Sequence, residues 1–343
     1  MQTENNNLPT LTMETVACDL CAAGPESNVL LTESSDHVHG VSGHFKVVRC
    51  KQCNLHYLNP RPTVEAIGQC YPSDYYAYSA VAESAPPVTF KNRIRRTIRA
   101  NFFLSSLFQH VPAFRHAAVD VGLAVDLPQW HKPGKVLDVG CGSGAFLDAL
   151  RDNGWETYGI EPSQAATRAA RAKGHEVMCQ SATDVAPAEW GSHTFDAVQM
   201  SHSLEHVHAP SVALRNIHHL LKERTGRLIV EVPNLDSLLT YWFGELGLVF
   251  DTPRHLYMFS PDTLCKSVEK AGFKVLSLNH KSRPMHFVRC LRLLAQSHPN
   301  MEWQARAMDI LDDRDWLARF EAVSQGAAGK QLAGEIRVVA ACK

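Results

Sequence analysis

The sequence predicts an α/β fold with a Rossmann-like parallel sheet, preceded by a small cysteine-bearing segment. Residues 135–144 read KVLDVGCGSG, in which an apolar run meets an acidic residue and then three alternating glycines. This pattern is typical of a buried strand that enters a tight turn and then a helix. Two Cys-x2-Cys pairs near the N-terminus form a second pattern, typical of a zinc ribbon. We therefore divide the chain into a zinc-ribbon segment at 1–84, a helical linker or lid at 85–132 and a Rossmann-like domain at 133–343.

The glycine-rich loop predicts a cofactor site, because glycine lets the backbone bend sharply and approach a ligand closely. The spacing G-x-G-x-G at Gly140, Gly142 and Gly144 differs from the G-x-G-x-x-G of dinucleotide-binding folds. No Lys-Ser/Thr follows as it does in a P-loop, so a phosphate ligand is disfavoured. The next predicted strand, 156–161, ends at Glu161. In such folds a carboxylate at this place accepts hydrogen bonds from both ribose hydroxyls.

Residues 136–144, Glu161 and the sequence HSLEH at 202–206 together resemble class I S-adenosylmethionine-dependent methyltransferases. The resemblance covers roughly residues 134–273 and implies a seven-stranded methyltransferase sheet that binds S-adenosylmethionine. A nicotinamide-binding Rossmann domain and a plain strand-to-helix turn are the alternatives. The chain departs from the family after the third strand, where an acidic residue is common. The resemblance implies cofactor contacts at Asp138, Gly140, Cys141, Gly142, Gly144, Glu161, Ser181, Ala182, Asp184 and Met200.

The composition fits one large domain with a smaller one beside it. The chain has 343 residues, of which 45% are hydrophobic, and its formal net charge is −1. This charge gives no overall electrostatic footprint for nucleic acid, so we expect no nucleic-acid partner. The polar N-terminus lacks the basic and apolar regions of a signal peptide, and no apolar run approaches the length of a membrane span. We therefore expect a cytoplasmic protein.

The pairs Cys18-x2-Cys21 and Cys50-x2-Cys53 predict a zinc site, because two such turns complete a tetrahedral set of four thiolates. A redox pair and plain buried thiols are the alternatives. Residues 49–62, RCKQCNLHYLNPRP, also resemble the N-terminal zinc-binding segment fused to many bacterial small-molecule methyltransferases. We expect Zn²⁺ here, in a structural and substrate-shaping role. A nucleic-acid-binding ribbon is the rival interpretation, but basic residues around the cysteines are few.

Residues 90–99 predict a basic amphipathic helix. Phe90, Ile94 and Ile98 recur at every fourth position and leave the basic residues on the other surface. One interpretation is a lid or linker helix with a solvated charged face. The other is a dock for a phosphorylated or membrane-linked substrate, with peripheral membrane contact through residues 90–104.

The remaining elements follow from apolar periodicity and turn residues. Further strands are predicted at 175–179, 195–200, 226–232, 273–278 and 335–340, the last of them antiparallel, and a helix runs from 261 to 272. A mainly helical insertion at about 286–326 separates the last two strands. The insertion suits either a substrate cover or a dimer face, so a monomer and a homodimer both stay open.

The segment after the fourth predicted strand contains candidate catalytic residues, because ligands bind at the carboxyl ends of parallel strands. Histidine suits the removal of a hydroxyl proton, since its ordinary pKa lies near operating pH. On a helix, His202 and His206 would lie at i and i+4 with Glu205 beside them. His255, in the sequence PRHLY at 253–257, is a second candidate base on a loop expected to close over the acceptor. The alternatives are a helix cap for Glu205 and His206 and a backbone-bonded loop histidine for His255.

The resemblance to class I methyltransferases therefore implies an S-adenosylmethionine-dependent methyltransferase. The predicted acceptor is an oxygen on a sugar, glycan precursor or secondary metabolite, including phosphorylated and carrier- or lipid-linked forms. Carbon or nitrogen methylation is the alternative within catalysis. A protein that keeps the cofactor fold but uses the ribbon to bind nucleic acid or protein is the alternative outside it. The spacing HxxEH also resembles an inverted zinc-peptidase motif, but its position after the fourth strand argues against that chemistry.

Overall fold

The computed structural model describes residues 11–72, 134–185, 190–281, 284–297 and 333–343. The predicted linker at 85–132, with the basic helix at 90–99, lies outside the described residues, and so does the predicted insertion beyond residue 297. The described chain before this gap ends in a helix, Pro284–Ser297.

Strands and helices alternate along most of the described chain. The strands are β1 (Met13–Glu14), β2 (Asn28–Ser34), β3 (Phe45–Cys50), β4 (His56–Leu58), β5 (Arg61–Pro62), β6 (Lys135–Val139), β7 (Glu156–Ile160), β8 (Glu176–Met178), β9 (Ala197–Ser201), β10 (Arg227–Pro233), β11 (Tyr257–Met258), β12 (Phe273–Lys281) and β13 (Glu335–Cys342). The helices are α1 (Ala145–Asp152), α2 (Gln164–Ala172), α3 (Pro210–Leu220), α4 (Leu238–Phe243), α5 (Pro261–Lys270) and α6 (Pro284–Ser297). None of these helices is both long and apolar enough to cross a membrane.

A seven-stranded sheet forms the centre of the structure, in the order β12-β13-β10-β9-β6-β7-β8. Strands β6 to β10 pair in parallel, whereas β13 is antiparallel to both β10 and β12. The predicted α/β, Rossmann-like fold with an antiparallel last strand is therefore confirmed. The parallel pairing brings the carboxyl ends of β6, β7 and β9 to one edge of the sheet, where ligands bind in such folds.

Both faces of this sheet are buried. Val136 and Ile229 pack with residues of α1 and α2 on one face. Leu137 and Leu228 pack with residues of α3 and α5 on the other. Parallel strands that are covered on both faces carry continuous apolar runs rather than alternating ones. For this reason the central strands lie close to their predicted bounds.

A second, antiparallel sheet of four strands, in the order β11-β4-β3-β2, belongs mainly to the N-terminal segment. Its outer strand β11 comes from the PRHLY sequence, where Tyr257 pairs with Tyr57. The rings of these two tyrosines stack with centroids 6.1 Å apart. The prediction of a loop that closes over an acceptor is therefore wrong for residues 251–260, which are buried in this packing.

Candidate active site

The glycine-rich loop after β6 makes a left-handed turn. Gly140, Gly142 and Gly144 have φ angles of +83°, +53° and +80°, which residues with a side chain rarely adopt. A Cβ added to Gly140 would also lie 2.7 Å from the Cβ of Ser203. The turn therefore requires glycine for its backbone angles and, at residue 140, for space.

Glu161 connects the end of β7 to this loop. Its Oε2 accepts a hydrogen bond from the backbone N–H of Gly142 at 2.9 Å, and its Oε1 accepts one from the N–H of Ser163 at 2.8 Å. Burial raises the pKa of Glu161, and these two N–H groups oppose the shift. A carboxylate offers about four lone-pair sites. The side chain therefore keeps acceptor capacity for ligand hydroxyls.

A cavity of about 380 Å³ opens beside the loop. Of the predicted cofactor residues, the wall of the cavity includes Gly140, Gly142, Glu161, Ser181 and Ala182. Of the predicted catalytic residues, the wall includes His202 and His206. Predicted cofactor and catalytic residues thus meet around one space at the carboxyl edge of the sheet.

The other predicted cofactor residues lie outside the cavity wall. Asp138 is buried, and this burial together with the charge of Glu161 raises its pKa to about 7. The Sγ of Cys141 packs so closely on Gly159 that an added Cβ there would lie 2.6 Å from it. Met200 is fully buried in the core and Asp184 is exposed. Gly144 lies in the turn, directly before α1. Their predicted contacts with a cofactor stay predictions.

The HSLEH segment does not form the predicted α-helix. His202 has a left-handed φ of 51°, and Leu204–His206 is a single 3-10 turn. The N–H of His202 donates to the carbonyl of Glu231 at 2.9 Å, so pairing with β10 continues to this residue before the chain turns sharply. The prediction that His202 and His206 share a helical face is therefore wrong.

Glu205 lies at the centre of an imidazole cluster, which we define as His202, Glu205, His206 and His255. The Oε1 of Glu205 lies 3.5 Å from Nδ1 of His202 and 4.0 Å from Nε2 of His255. The rings of His206 and His255 have centroids 4.7 Å apart. The structure thus brings all four predicted catalytic residues together, although His255 is distant in sequence.

Hydrogen bonds fix the rings of this cluster. Nδ1 of His206 donates to the carbonyl of Arg254 at 2.9 Å, and Nδ1 of His255 donates to the carbonyl of Val249 at 2.9 Å. Since the Nδ1 atoms carry hydrogens, Nε2 is the ring nitrogen whose lone pair is free whenever the ring is neutral. His202 differs, because its Nε2 lies 2.9 Å from a carboxylate oxygen of Glu335.

The charges within the imidazole cluster are unequal. Burial lowers the pKa of His202, but its contacts with the carboxylates of Glu205 and Glu335 outweigh burial and raise the pKa to about 10. Burial, followed by the charge of His255, lowers the pKa of His206 to about 4. For Glu205, burial raises the pKa, but the contact with His202 and the neighbouring imidazole charges bring it below its usual value. In this state His202 is protonated, lies 2.9 Å from Glu335 and forms an ion pair with Glu205 at 3.5 Å, while His206 is neutral.

Residues 123–278 match a sequence-family model described as a methyltransferase domain. The chain contains a methyltransferase domain. Curated relatives include the ubiquinone biosynthesis O-methyltransferase of Aeromonas salmonicida (strain A449), which is 28% identical over 155 residues, or 42% of this chain and 65% of the relative. The protein of the same name from Pseudomonas aeruginosa (strain LESB58) is 35% identical over 117 residues, or 33% of this chain and 50% of the relative. The chain therefore spans less than two thirds of these curated relatives.

A solved structure similar to this chain is the SAM-dependent methyltransferase from Archaeoglobus fulgidus. It shares 18% sequence identity at a TM-score of 0.43, and the match covers 74% of this chain and 99% of that one. The strand order and pairing of the central sheet define the fold of the methyltransferase domain.

Four cysteines of the N-terminal segment converge next to the methyltransferase domain. The Sγ atoms of Cys18 and Cys53 lie 3.4 Å apart, and those of Cys21 and Cys50 lie 3.5 Å apart. All four Sγ atoms lie within 4.8 Å of one another. A tetrahedral zinc site with Zn–S bonds of about 2.3 Å places its sulfurs about 3.8 Å apart. The four cysteines, which we call the four-thiolate site, fit Zn²⁺ in donor type and spacing.

The two cysteine turns have the same backbone geometry. The N–H of Ala22 donates to the carbonyl of Cys18 at 2.8 Å, and the N–H of Asn54 donates to that of Cys50 at 3.0 Å. Ala22 and Asn54 both have left-handed φ angles, 62° and 64°. This repetition indicates two matched turns that face a common centre, not a single redox pair.

The N-terminal segment is anchored to the part of the methyltransferase domain that carries the imidazole cluster. Arg61 donates to the carbonyl of His208 at 2.7 Å and to the hydroxyl of Tyr257 at 2.9 Å. Asp19 accepts hydrogen bonds from both the N–H and the hydroxyl of Ser211, each at 2.9 Å. Residues of the segment also line the cavity, among them Ile67 and Tyr71. The segment therefore shapes the candidate active site.

Glu335 and Tyr71 are candidate functional residues to which the sequence patterns assign no role. Glu335 is fully buried, and its Oε1 lies 3.2 Å from Nε2 of His286 as well as 2.9 Å from His202. A charged residue at the first position of an apolar strand is the signal that could have found it. The hydroxyl of Tyr71 lies 3.1 Å from Nδ1 of His206, a contact between distant parts of the chain that no local pattern encodes.

Proposed function

We propose that this chain is an S-adenosylmethionine-dependent methyltransferase that methylates an oxygen of a small molecule. One observation carries the proposal: the hydrogen-bonded Glu161 and two members of the imidazole cluster, His202 and His206, share the wall of one cavity. The match to a methyltransferase domain supports the reaction type. The names of the curated relatives, which are O-methyltransferases, support oxygen as the acceptor atom.

Glu161 and the neighbouring cavity residues suit the nucleoside part of S-adenosylmethionine. The oxygens of Glu161 have lone pairs available for the two ribose hydroxyls, and its orientation is fixed by the N–H groups of Gly142 and Ser163. Ser181 and Ala182 line the same cavity further along the sheet edge. When bound, S-adenosylmethionine supplies a methyl group activated by its positively charged sulfur.

The imidazole cluster suits the acceptor side, since a hydroxyl must lose its proton when it is methylated. His206 lines the cavity and its Nε2 carries a lone pair, because Nδ1 donates to Arg254. Apolar residues, including Val64 and Ile67, line the same wall. A sugar, glycan precursor or secondary metabolite stays the sequence-based prediction for the acceptor.

We further propose that the four-thiolate site holds a structural Zn²⁺. The support is the convergence of the four Sγ atoms and the matched geometry of the two turns. Four protein sulfurs complete a tetrahedral shell, so such an ion keeps no open position for catalysis. Its function would be to stabilise the segment that lines the cavity.

Calorimetry with S-adenosylhomocysteine tests the central proposal. We expect the wild-type chain to bind it and Glu161→Ala to bind about 10-fold or more weakly, since a hydrogen bond to a charged group contributes about 1.5–3 kcal/mol. Glu156→Ala, at the exposed start of the same strand, is the matched control and should bind normally. Methyl transfer from labelled S-adenosylmethionine to hydroxyl, amine and carbon acceptors then distinguishes the acceptor atom. No binding by the wild type would favour a non-catalytic protein. Full binding by Glu161→Ala would reject the assignment of Glu161 to the ribose.

A further inference from the structure

The imidazole cluster contains a complete set of metal donors. One oxygen of Glu205 and one ring nitrogen each of His206 and His255 lie within 4.8 Å of one another. Two imidazoles and a carboxylate form the protein part of many mononuclear sites for zinc, iron and related cations. We propose that Glu205, His206 and His255 bind a divalent transition-metal cation, with zinc as the representative ion.

The hydrogen bonds of the two rings match those of metal-bound histidines. A ligating histidine usually donates its second ring N–H to a carbonyl or carboxylate, which fixes the tautomer and aims the free nitrogen. His255 donates from Nδ1 to Val249 O, and its Nε2 faces Glu205 at 4.0 Å. His206 donates from Nδ1 to Arg254 O, which leaves Nε2 as its ligand atom. Both rings are therefore already held as metal ligands would be.

The carboxylate of Glu205 supplies an independent observation. The side chain is 1% exposed, and neither of its oxygens accepts a hydrogen bond from any residue that the structure describes. The nearest ring nitrogen, Nδ1 of His202, is 3.5 Å away. Protonated His202 balances the charge of this carboxylate, but the lone pairs of both oxygens lack a hydrogen-bond donor, which is costly for a buried polar group. A bound dication would satisfy both oxygens at this place.

The three donor atoms would need to move only slightly closer together to bind a cation. In a tetrahedral site with bonds of about 2.1 Å, donor atoms lie about 3.4 Å apart, so each of these donors would move by less than about 1 Å. Three protein ligands leave a further coordination position, which is the arrangement of catalytic rather than structural sites. His206 lines the cavity, so this position would be reached from it.

A cation at this site would take part in the proposed methyl transfer. This consequence rests on the proposed methyltransferase activity, whereas the metal site does not. A divalent ion polarises a bound oxygen and lowers the pKa of a hydroxyl ligand. With the ion bound, His206 would act as a ligand and not as a proton acceptor. An acceptor with a hydroxyl group would then be oriented by coordination.

Metal analysis tests the site without a substrate. The wild-type chain, equilibrated with Zn²⁺ and desalted, should carry about one zinc more than the four-thiolate site holds. We expect His255→Ala and Glu205→Gln to lose this additional ion and to keep the other. Glu205→Gln preserves side-chain volume and so guards against loss of the fold, which thermal unfolding checks. His208→Ala is the matched control, because this histidine lines the same cavity but donates to Pro62 O outside the donor set.

Two outcomes would overturn the metal site. One is a wild-type chain whose whole zinc content disappears in Cys50→Ser and is unchanged in His255→Ala. The other is an additional zinc that both His255→Ala and Glu205→Gln retain. Either result can be told apart from a failure of the proposed function. Glu161 is not a ligand of the cation, so calorimetry would still detect binding of S-adenosylhomocysteine if the metal site were absent.

Discussion

The guanidinium of Arg254 forms two hydrogen bonds to the carboxylate of Asp36, at 2.7 and 2.8 Å, with both side chains fully buried. Asp251 accepts two further hydrogen bonds from Arg254, and the carbonyl of Cys70 accepts one. The backbone carbonyl of Arg254 in turn accepts from His206. The ion pair thus joins the N-terminal segment to the residue that orients one ring of the imidazole cluster.

Asp36→Asn should destabilise the protein by about 2 kcal/mol or more. Asp251 still balances the charge of Arg254, but the variant places an amide N–H donor against the guanidinium where an oxygen had accepted, and a hydrogen bond to a charged group contributes about 1.5–3 kcal/mol. Urea denaturation of wild type and variant measures this loss. Asp262→Asn is the control, because Asp262 pairs with Lys266 at 2.7 Å but the pair is exposed, and an exposed pair contributes less than about 1 kcal/mol. Equal losses in the two variants would contradict the structural role of the Arg254–Asp36 pair.

The sequence predicts the central sheet well because its signals are local. Apolar runs such as that of β6 and the glycines after it report burial and turn geometry within a few residues. The segment at 253–257 shows the limit of such signals. Its pairing with β4 joins Tyr57 to Tyr257, and nothing near Tyr257 indicates that partner. The local pattern therefore indicates a loop where the structure has a buried strand.

The candidate active site was predictable in its residues but not in its geometry. The density of histidine at 202–208 identifies His202 and His206 as ionisable groups at a strand end. Their backbone conformation depends on the pairing of His202 with Glu231, which is a contact between strands. The same limitation applies to Glu335, because its proximity to His202 arises only when β13 inserts beside β10.

Gly140→Ala should cost more stability than Gly40→Ala, although both glycines have left-handed φ angles, +83° and +72°. The backbone cost of a side chain in this region is about 1–2 kcal/mol at either position. At Gly140 the new Cβ also meets Ser203, whereas nothing lies within 4 Å at Gly40. Urea denaturation measures the stability of both variants. Adding Ser203→Gly to Gly140→Ala should restore the part of the lost stability that comes from the clash with the Ser203 side chain. Equal costs for the two single variants would show that the loop yields to the clash.

Asp138→Asn should remove a pH dependence of stability. The carboxyl of Asp138 has an ordinary pKa of 3.8, and burial raises it to about 7 in the folded chain. Between these pH values Asp138 binds fewer protons in the unfolded chain than in the folded chain. The contribution of Asp138 to the free energy of unfolding therefore falls as pH rises from about 4 to 7. The shift corresponds to a change on the order of 4 kcal/mol.

Urea denaturation of the ligand-free protein between pH 4 and 8 measures this difference. The advantage of Asp138→Asn over wild type should grow with pH and level off above the folded pKa. The exposed Asp262→Asn serves as the comparison and should follow the wild-type curve. Parallel curves for wild type and Asp138→Asn would show that Asp138 is ionised in the folded chain without cost.

Cys50→Ser should lower the zinc content by about one ion per chain and reduce thermal stability. Metal binding contributes directly to the folding of small segments that have few other contacts. A chelator should therefore lower the unfolding temperature of the wild type and have less effect on the variant, which has already lost this ion. Cys179→Ser is the control, because Cys179 is exposed and lies outside the four-thiolate site. A Cys50→Ser chain that keeps its full zinc and stability would exclude coordination by these four cysteines, and contacts such as those of Arg61 and Arg254 would then hold the cavity wall formed by Ile67 and Tyr71.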